Sequence, residues 1–216
     1  MIEKKKVSIL IADDHPILLK GLNDELIENG YWVINSVSNG MKALEEILTN
    51  EPTLALLDID MPLLTGFEVI KKAKEKGVTT KFIVLSFHKE TSYIAQAKTL
   101  QIEGYLLKED SFLEIEKCME SVLNNRVYFS SSFRNSIVNE ASEEVKKLSL
   151  LTPSEVTILK LAALQKKNNE IAESLCVSTR TIEKHRSNII VKLNLEKGSN
   201  SLINWVISNR NVILEL

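Results

Sequence analysis

Two aspartates stand two positions apart behind an apolar run in the segment LLDIDMP, residues 56–62. Carboxylates at the end of a strand that looks buried are unusual unless they have a role there. Asp58 and Asp60 could hold a metal ion, could act as a nucleophile with its general acid, or could form an ordinary polar turn. The choice depends on which other side chains the fold brings to the same place.

Five short apolar runs alternate with segments of helical spacing over the first 125 residues. The predicted strands are Val7–Ala12, Trp32–Val37, Leu54–Leu57, Phe82–Leu85 and Gly104–Leu107. Strands that are each followed by a helix run parallel, because a parallel pair needs a crossover connection. The sequence therefore predicts a five-stranded, parallel, doubly wound α/β domain whose functional site lies beyond the carboxyl ends of the strands.

Polar residues end four of these five strands. They are Asp13 and Asp14 after the first, Asp58 after the third, Ser86 after the fourth and Lys108 after the fifth. Three carboxylates repel one another unless a cation lies among them, and Mg²⁺ prefers oxygen ligands. A lysine and a hydroxyl suit phosphoryl oxygens, and a carboxylate can attack phosphorus to give an acyl phosphate. The set predicts magnesium-assisted phosphoryl transfer onto an aspartate.

These strand-end residues, together with IVLSF and GYLLK around the serine and the lysine, resemble the receiver domain of bacterial two-component response regulators over about residues 5–125. The resemblance implies that Asp58 accepts the phosphoryl group. It implies that Asp14 binds Mg²⁺ directly, whereas Asp13 acts largely through water. Asp60 is expected to contribute its backbone carbonyl to the metal rather than its side chain.

The same resemblance implies that Lys108 and Ser86 bind the phosphoryl group. Tyr105 matches the aromatic switch position, whose rotamer is coupled to the serine. Phe87 stands where many receivers carry a small residue, and we hypothesise that it restricts the water that attacks the acyl phosphate, with His88 and Asp60 at the rim. We expect His15 and His88 to have surface roles rather than to bind a metal.

Composition and charge point to a globular chain with two different halves. Hydrophobic residues make up 44% and charged residues 26%, and no apolar run approaches the roughly 20 residues of a membrane span. We therefore expect a cytoplasmic protein, and we expect Cys118 and Cys176 to be buried thiols. From Ser149 onward there are nine Lys or Arg against six Glu, which leaves 18 basic and 23 acidic residues before it. A basic C-terminal half favours a nucleic-acid partner.

The chain after residue 150 has an all-helical pattern. Thr152, Pro153 and Glu155 form an N-cap, a first-turn proline and a capping box, and further helices are expected near 168–175, from Ser178 to Leu193 and over 199–208. Two short helices joined by a tight turn indicate a helix-turn-helix. We predict a receiver over 1–125, a linker with some helix over 126–149, and a four-helix all-α domain over 150–216.

This second region resembles the LuxR-type DNA-binding domain of the NarL/FixJ class of regulators along its whole length, apart from Gln165, where relatives usually have glycine. On a helical wheel the exposed side of the candidate recognition helix carries four polar residues that could meet base edges. They are Glu183, Lys184, Ser187 and Asn188. Phosphate contacts are expected from Lys167, Asn168, Arg180 and Lys192.

Taken together, the sequence predicts a response regulator in which magnesium-dependent phosphorylation of Asp58 by a sensor histidine kinase controls dimeric binding to double-stranded promoter DNA. It is expected to modify only itself and not to turn over a substrate. One alternative is a DNA-binding regulator whose receiver works without phosphorylation. Another is a haloacid-dehalogenase-type phosphatase, but in those enzymes the Asp-x-Asp motif usually ends the first strand, whereas here it ends the third.

Overall fold

The structure is a computed structural model that describes residues 3–133, 135–196, 198 and 200–216. Its sheet contains the predicted apolar runs and one additional strand. The strands are β1 (Ser8–Ala12), β2 (Trp32–Val37), β3 (Leu54–Asp58), β4 (Lys81–Ser86), β5 (Gly104–Leu107) and β6 (Tyr128–Phe129). They lie in the order β2-β1-β3-β4-β5-β6, and each neighbouring pair is parallel.

The predicted count of five strands was wrong by one, because β6 was assigned to the linker. A two-residue strand inside a stretch rich in Ser and Asn shows no period-two alternation that a sequence pattern could detect. Its neighbours in space, not its own residues, give it the strand conformation.

Helices connect the strands. They are α1 (Pro16–Glu28), α2 (Gly40–Asn50), α3 (Gly66–Glu75), α4 (Thr91–Thr99) and α5 (Phe112–Leu123). The chain divides into two compact units, and the first contains the sheet with all of these helices except α4, whose residues group with the C-terminal helices. None of the helices among the described residues is both long and apolar enough to cross a membrane.

Both faces of the sheet are buried, as a parallel sheet requires. Ile9 and Ile11 of β1 belong to a core cluster that also contains Leu26 of α1 and Met119 of α5. Leu10, between them, points to the opposite face and is equally buried. The result is a rigid sheet whose carboxyl edge can hold polar side chains in fixed positions.

The turn after β3 brings the start of α3 close to the end of the strand. Thr65 caps α3 through a capping box with Glu68, whose carboxylate accepts the Thr65 backbone N–H at 2.8 Å. Gly66, the first residue of α3, lies so close to β3 that a Cβ there would collide with the carbonyl oxygen of Asp58. The helix start therefore packs directly on the strand end that carries the candidate nucleophile.

The second unit contains residues 90–99 and 135–216. Its helices, besides α4, are α6 (Asn135–Ser149), α7 (Pro153–Ala163), α8 (Asn168–Ser174), α9 (Thr179–Lys192), α10 (Ser201–Ser208) and α11 (Arg210–Glu215). The capping box of Thr152 and Glu155 and the Ser178 cap are confirmed. Residue 199, the predicted start of the fourth helix, lies outside the described residues.

Two helices, α6 and α11, differ in length or number from those predicted for the chain after residue 125. The helix expected within the linker is α6, which fills the last 15 residues of that region. After residue 150, α11 makes a fifth helix where four were predicted. Val212 and Ile213 of α11 are fully buried, so a six-residue segment that is too short for a periodic pattern is held by packing.

Gln165 occupies the turn after α7, and its backbone lies in the left-handed region at φ 62°. The N–H groups of Gln165 and Lys166 bond to the carbonyls of Ala162 and Leu161 at 2.9 and 3.2 Å, which is a Schellman motif. A glycine would adopt this conformation without a Cβ penalty. A glycine at this position would therefore relieve the backbone strain that Gln165 carries.

Candidate functional site

The carboxyl edge of the sheet holds a buried ion triad. The ammonium of Lys108 lies 2.8 Å from Asp58 Oδ2 and 2.9 Å from Asp13 Oδ2. Lys108 directly follows β5, Asp58 ends β3 and Asp13 directly follows β1. Asp58 is only 2% exposed. The strand-end rule therefore brings these three side chains together as expected.

Asp14 and His15 complete the acidic cluster from the loop between β1 and α1. His15 Nδ1 lies 2.9 Å from Asp14 Oδ1, 3.0 Å from Asp13 Oδ1 and 3.9 Å from Asp58 Oδ2. The His15 backbone N–H donates to Asp13 Oδ1 at 2.8 Å, which fixes the loop. The sequence reasoning missed this position of His15. Its place next to two acids and before a helix-starting proline was the available signal.

The ionisation of the triad is set by opposing effects. Burial raises the pKa of Asp58, and the hydrogen bond and charge of Lys108 oppose that rise while Asp13 adds to it. For Lys108, burial lowers the pKa, but the two carboxylates outweigh it and the pKa is raised overall. The ammonium is therefore held in its charged form between two acids.

The cluster has the composition of a divalent-cation site. The candidate ligand atoms of Asp13, Asp14, His15 and Asp58 all lie within 4.8 Å of one another. Asp58 Oδ2 is buried and faces the Lys108 ammonium at 2.8 Å. A donor set dominated by carboxylate oxygens at such short mutual distances fits a hard cation such as Mg²⁺.

Asp60 is oriented differently from Asp58. Its backbone amide helps to lower the pKa of Asp58 against burial, whereas its own side chain is exposed and lies 2.7 Å from His88 Nε2. The side chain of Asp60 is thus directed to the rim of the site. This leaves its backbone as the part of the residue nearest the acidic cluster.

Ser86 and Tyr105 are linked through His88. The buried Ser86 hydroxyl accepts the His88 backbone N–H at 3.1 Å, and the Tyr105 hydroxyl donates to the His88 carbonyl at 3.1 Å. The Lys108 backbone N–H donates to the carbonyl of Ser86 at 3.0 Å. A single residue therefore connects the serine with the candidate switch tyrosine.

Phe87 stands at the mouth of the site. Its ring is 58% exposed, its centroid lies 5.3 Å from the Lys108 ammonium, and the His15 ring meets it edge-on at 6.3 Å. A ring in this position limits solvent access to the buried lysine from one side.

The candidate nucleic-acid interface is the outer face of α9, with α8 preceding it across the turn. The side chains predicted to meet base edges are all exposed: Glu183, Lys184, Ser187 and Asn188. Val191 continues the same face and is 77% exposed. Ile182 and Ile189 are buried on the opposite face, so the predicted orientation of the helix agrees with the structure.

The four residues expected to contact phosphate differ in their surroundings. Lys167 and Arg180 are exposed. The side-chain oxygen of Asn168 accepts a hydrogen bond from Arg186 at 2.9 Å. The Lys192 ammonium lies 2.7 Å from the buried carboxylate of Glu155, whose pKa is lowered because this hydrogen bond and the capping box outweigh burial. Lys192 would have to share this ion pair to reach a phosphate.

The apolar residues of α10 fall into two groups. Leu202 and Val206 are buried in the second unit, whereas Ile203 and Ile207 are exposed. The first pair is part of the core. The second pair, one helical turn apart, forms an apolar strip on the surface.

Comparison with known proteins identifies relatives of both halves. Residues 9–120 match the family described as the response regulator receiver domain, and residues 149–203 match the bacterial regulatory proteins of the luxR family. The chain is 32% identical over 199 residues to the transcriptional regulatory protein MctR of Rhizobium johnstonii. The matched region covers 90% of this chain and 91% of that relative.

Solved structures are similar as well. RcsB from Salmonella enterica serovar Typhimurium, bound to promoter rprA in the presence of BeF3-, is 24% identical with a TM-score of 0.61, covering 94% of this chain and 98% of that one. At this identity the likeness concerns the fold. The signal receiver domain of NarL from Mycobacterium tuberculosis is 30% identical with a TM-score of 0.53, covering 56% of this chain and 98% of that one.

Proposed function

The chain belongs to the bacterial response regulators that join a receiver domain to a LuxR-type DNA-binding domain, and we propose that phosphorylation of Asp58 is the event that controls it. It is a two-component response regulator that controls transcription. The observation that carries the assignment of Asp58 is its buried carboxylate at the end of β3, 2.8 Å from the Lys108 ammonium. A carboxylate oriented in this way can attack phosphorus.

In the proposed reaction an Asp58 oxygen attacks the phosphorus of a phosphohistidine on a sensor kinase, or of a small phosphodonor. The P–O bond of the acyl phosphate forms as the bond to the donor breaks; a phosphohistidine donor leaves as an imidazole that takes a proton from water, and acetyl phosphate leaves as acetate. Lys108 and Ser86 would then neutralise and hydrogen-bond the phosphoryl oxygens. The receiver modifies and hydrolyses only its own acyl phosphate, without turnover of a separate substrate.

Mg²⁺ is the cation we propose for the acidic cluster. Its ligands would be Asp13 through water, Asp14, Asp58 and the backbone carbonyl of Asp60. When bound, the ion would shield the carboxylates from one another and from the incoming phosphoryl group. The donor set of mutually close carboxylates supports this assignment.

The proposed switch runs through Ser86 and Tyr105. When the serine hydroxyl donates to a phosphoryl oxygen, it turns away from the His88 N–H that it accepts in this structure. Because Tyr105 is bonded to the carbonyl of the same residue, the tyrosine is the next side chain to respond. This is the rotamer change that we propose for activation.

DNA is the proposed partner of the second unit. Lys184 would donate to guanine and Glu183 would accept from cytosine, while Ser187 and Asn188 complete the base-reading set. Lys167, Asn168 and Arg180 would bind phosphates, with Lys192 joining them if it leaves Glu155. An acid at position 183 lowers nonspecific attraction to DNA, which favours a narrow choice of target sequence.

We further propose the domain division 1–125, 126–149 and 150–216, with the middle part connecting the receiver to the DNA-binding domain. The exposed pair Ile203 and Ile207 supports association of two copies on a two-fold DNA site. Promoter DNA as the target implies action in the cytoplasm.

The test is phosphorylation of the full chain with acetyl phosphate and Mg²⁺, followed by intact mass and DNA-binding measurements. We expect a gain of about 80 Da in the wild type and in Asp60→Ala, none in Asp58→Ala, and tighter DNA binding as a dimer after modification. Equal DNA affinity of the wild type and Asp58→Ala under these conditions would instead support a phosphorylation-independent receiver. Multiple turnover of the phosphodonor would indicate a phosphatase.

A further inference from the structure

A cavity of about 530 Å³ lies in the second unit, beside the turn between α7 and α8 and one face of α10. We call it the α10 groove. Its basic lining residues are Lys166, Lys167 and Arg186, and its apolar lining residues on α10 are Ile203, Val206 and Ile207. Sites that bind small molecules measure about 300–1,000 Å³ and combine apolar walls with a few polar groups. The α10 groove therefore has the size and the lining of such a site.

The guanidinium of Arg186 lacks an opposing charge. Its side chain is half-buried and donates to the neutral side-chain oxygen of Asn168 at 2.9 Å. Burial lowers the pKa of Arg186, and no carboxylate within the described ranges acts against that effect. A half-buried cation is destabilising unless a negative group accompanies it. An anion in the α10 groove would supply that group.

The two lysines extend the positive charge of the α10 groove. The Lys166 ammonium donates to the neutral Ser174 hydroxyl at 3.2 Å, and the Lys167 side chain is exposed. The carboxylate of Glu170 accepts the backbone N–H of Lys167 at 2.6 Å, and Glu170 does not line the groove. No acidic residue in the described part of the chain lines it either. The charge of this side of the groove is thus available to an anion.

The α10 side of the groove requires an occupant with an apolar part. Ile203 is 45% exposed and Ile207 is 68% exposed, and they lie one helical turn apart. Each Å² of apolar surface removed from water contributes about 25 cal/mol, which the polar backbone of DNA cannot supply. A phosphate contact alone would therefore leave half of the groove unused. An occupant that suits both sides carries one anionic group and an apolar body.

We propose that the α10 groove binds a small amphipathic organic anion, whose charged group pairs with Arg186 and the neighbouring lysines and whose apolar part covers Ile203 and Ile207. This site goes beyond the proposed function, because it does not depend on phosphorylation of Asp58. A bound anion opposes DNA binding, since it occupies Lys167, which we assign to a DNA phosphate. It also covers the isoleucine pair that we assign to association of two copies. The DNA-binding unit then responds to a small molecule in addition to the signal that reaches the receiver.

The first test uses anilinonaphthalene sulfonate, an amphipathic organic anion that fluoresces in apolar sites, titrated into the folded full chain. We expect saturable binding to one site per chain, which Asp58→Ala retains. Octanoate should displace the probe, whereas octanol, which lacks the charge, and inorganic phosphate, which lacks the apolar part, should not do so at the same concentration. Displacement by phosphate or by octanol as effective as that by octanoate would overturn the amphipathic site.

Variants place the probe in the α10 groove. Arg186→Met keeps an apolar side chain of similar length and removes the charge, so it should weaken probe binding by about tenfold. Ile207→Ser changes an exposed side chain, should weaken binding by about threefold, and guards against misfolding of the first variant. Lys184→Met, which removes a positive charge from the base-reading face of α9, is the matched control and should change the affinity by less than about twofold. Unchanged affinity in both groove variants would overturn the site.

Competition with DNA tests the consequence. At a probe concentration ten times its dissociation constant, the apparent dissociation constant for DNA should rise by about tenfold in the wild type and much less in Arg186→Met. DNA affinity that does not change while the probe is bound would overturn the opposing effect on DNA. A wild type that is dimeric in sedimentation without DNA and excludes the probe would show that a second copy fills the groove, which also overturns the proposal. Failure of Asp58 to accept a phosphoryl group would refute the proposed function and leave this site standing.

Discussion

The substitution Glu114→Gln offers a quantitative test of the hydrogen bonds by which Glu114 of α5 holds Tyr128 and Ser131. The pKa of Glu114 is lowered from 4.5 to about 2, mainly by hydrogen bonds from the backbone and side chain of Ser131. The Tyr128 hydroxyl and the charge of Lys117 lower the pKa further, whereas burial opposes the shift. A shift of this size corresponds to about 3 kcal/mol of stability at neutral pH. Because the folded pKa is depressed, this contribution is present above the unfolded pKa and disappears as pH falls toward 2. The same relation predicts about 2 kcal/mol remaining at pH 3.5.

The assay is urea unfolding of the first unit in the wild type and in Glu114→Gln, at pH 6 and at pH 3.5. We expect the variant to be less stable than the wild type by about 3 kcal/mol at pH 6 and by about 2 kcal/mol at pH 3.5. Glu120→Gln, an exposed change on the same helix, is the control and should stay within about 0.5 kcal/mol of the wild type at both pH values. A stability difference that is independent of pH would refute the charged, hydrogen-bonded state assigned to Glu114.

Further expectations concern the turn, the DNA face and the mouth of the site. Gln165→Gly should stabilise the second unit by about 1 kcal/mol, since it relieves a left-handed φ, whereas Gln165→Ala should not; thermal unfolding decides this. Lys184→Ala should weaken binding to the cognate DNA site by about 1–3 kcal/mol and reduce the preference for that sequence. Lys167→Ala should weaken binding to all sequences and reduce the slope of log affinity against log salt concentration by about 1. Binding titrations at several salt concentrations would contradict these assignments if the two variants behaved alike. Phe87→Ala should hasten hydrolysis of the acyl phosphate by about two- to fivefold, because the ring shields Lys108; a rate equal to the wild type removes Phe87 from this role.

The acidic cluster could be predicted from sequence because it depends on one topological fact. Parallel strands bring their carboxyl ends to one edge, so Asp13, Asp58 and Lys108 meet although they are far apart in the chain. The Thr152–Glu155 capping box and the buried face of α9 could also be predicted, because local spacing determines them.

Other features depend on partners that no local pattern reveals. The strand β6 forms because Tyr105 packs against Phe129 and Glu114 accepts the backbone N–H of Ser131. Lys192 forms its ion pair with Glu155, which lies 37 positions away in the chain. His15 meets the acids because of its backbone bond to Asp13. In each case the tertiary contact, and not the propensity of the segment, decides the conformation.

The arrangement at the sheet edge implies an order of events after phosphorylation. A phosphoryl group on Asp58 replaces one negative charge by nearly two, so the first groups to respond must be the nearest donors, Lys108 and Ser86. Ser86 is linked through His88 to Tyr105, whose ring packs against Phe129. Leu107, the neighbour of Lys108, donates its backbone N–H to Asp110, whose other oxygen accepts the Ser132 hydroxyl. Two routes thus lead from the strand ends of the site to residues 129–133, one through Tyr105 and one through Asp110, so we expect hydrogen exchange of these residues to respond to phosphorylation even when one route is cut. A double variant that removes both routes should be phosphorylated on Asp58 and yet show no change in the hydrogen exchange of residues 129–133.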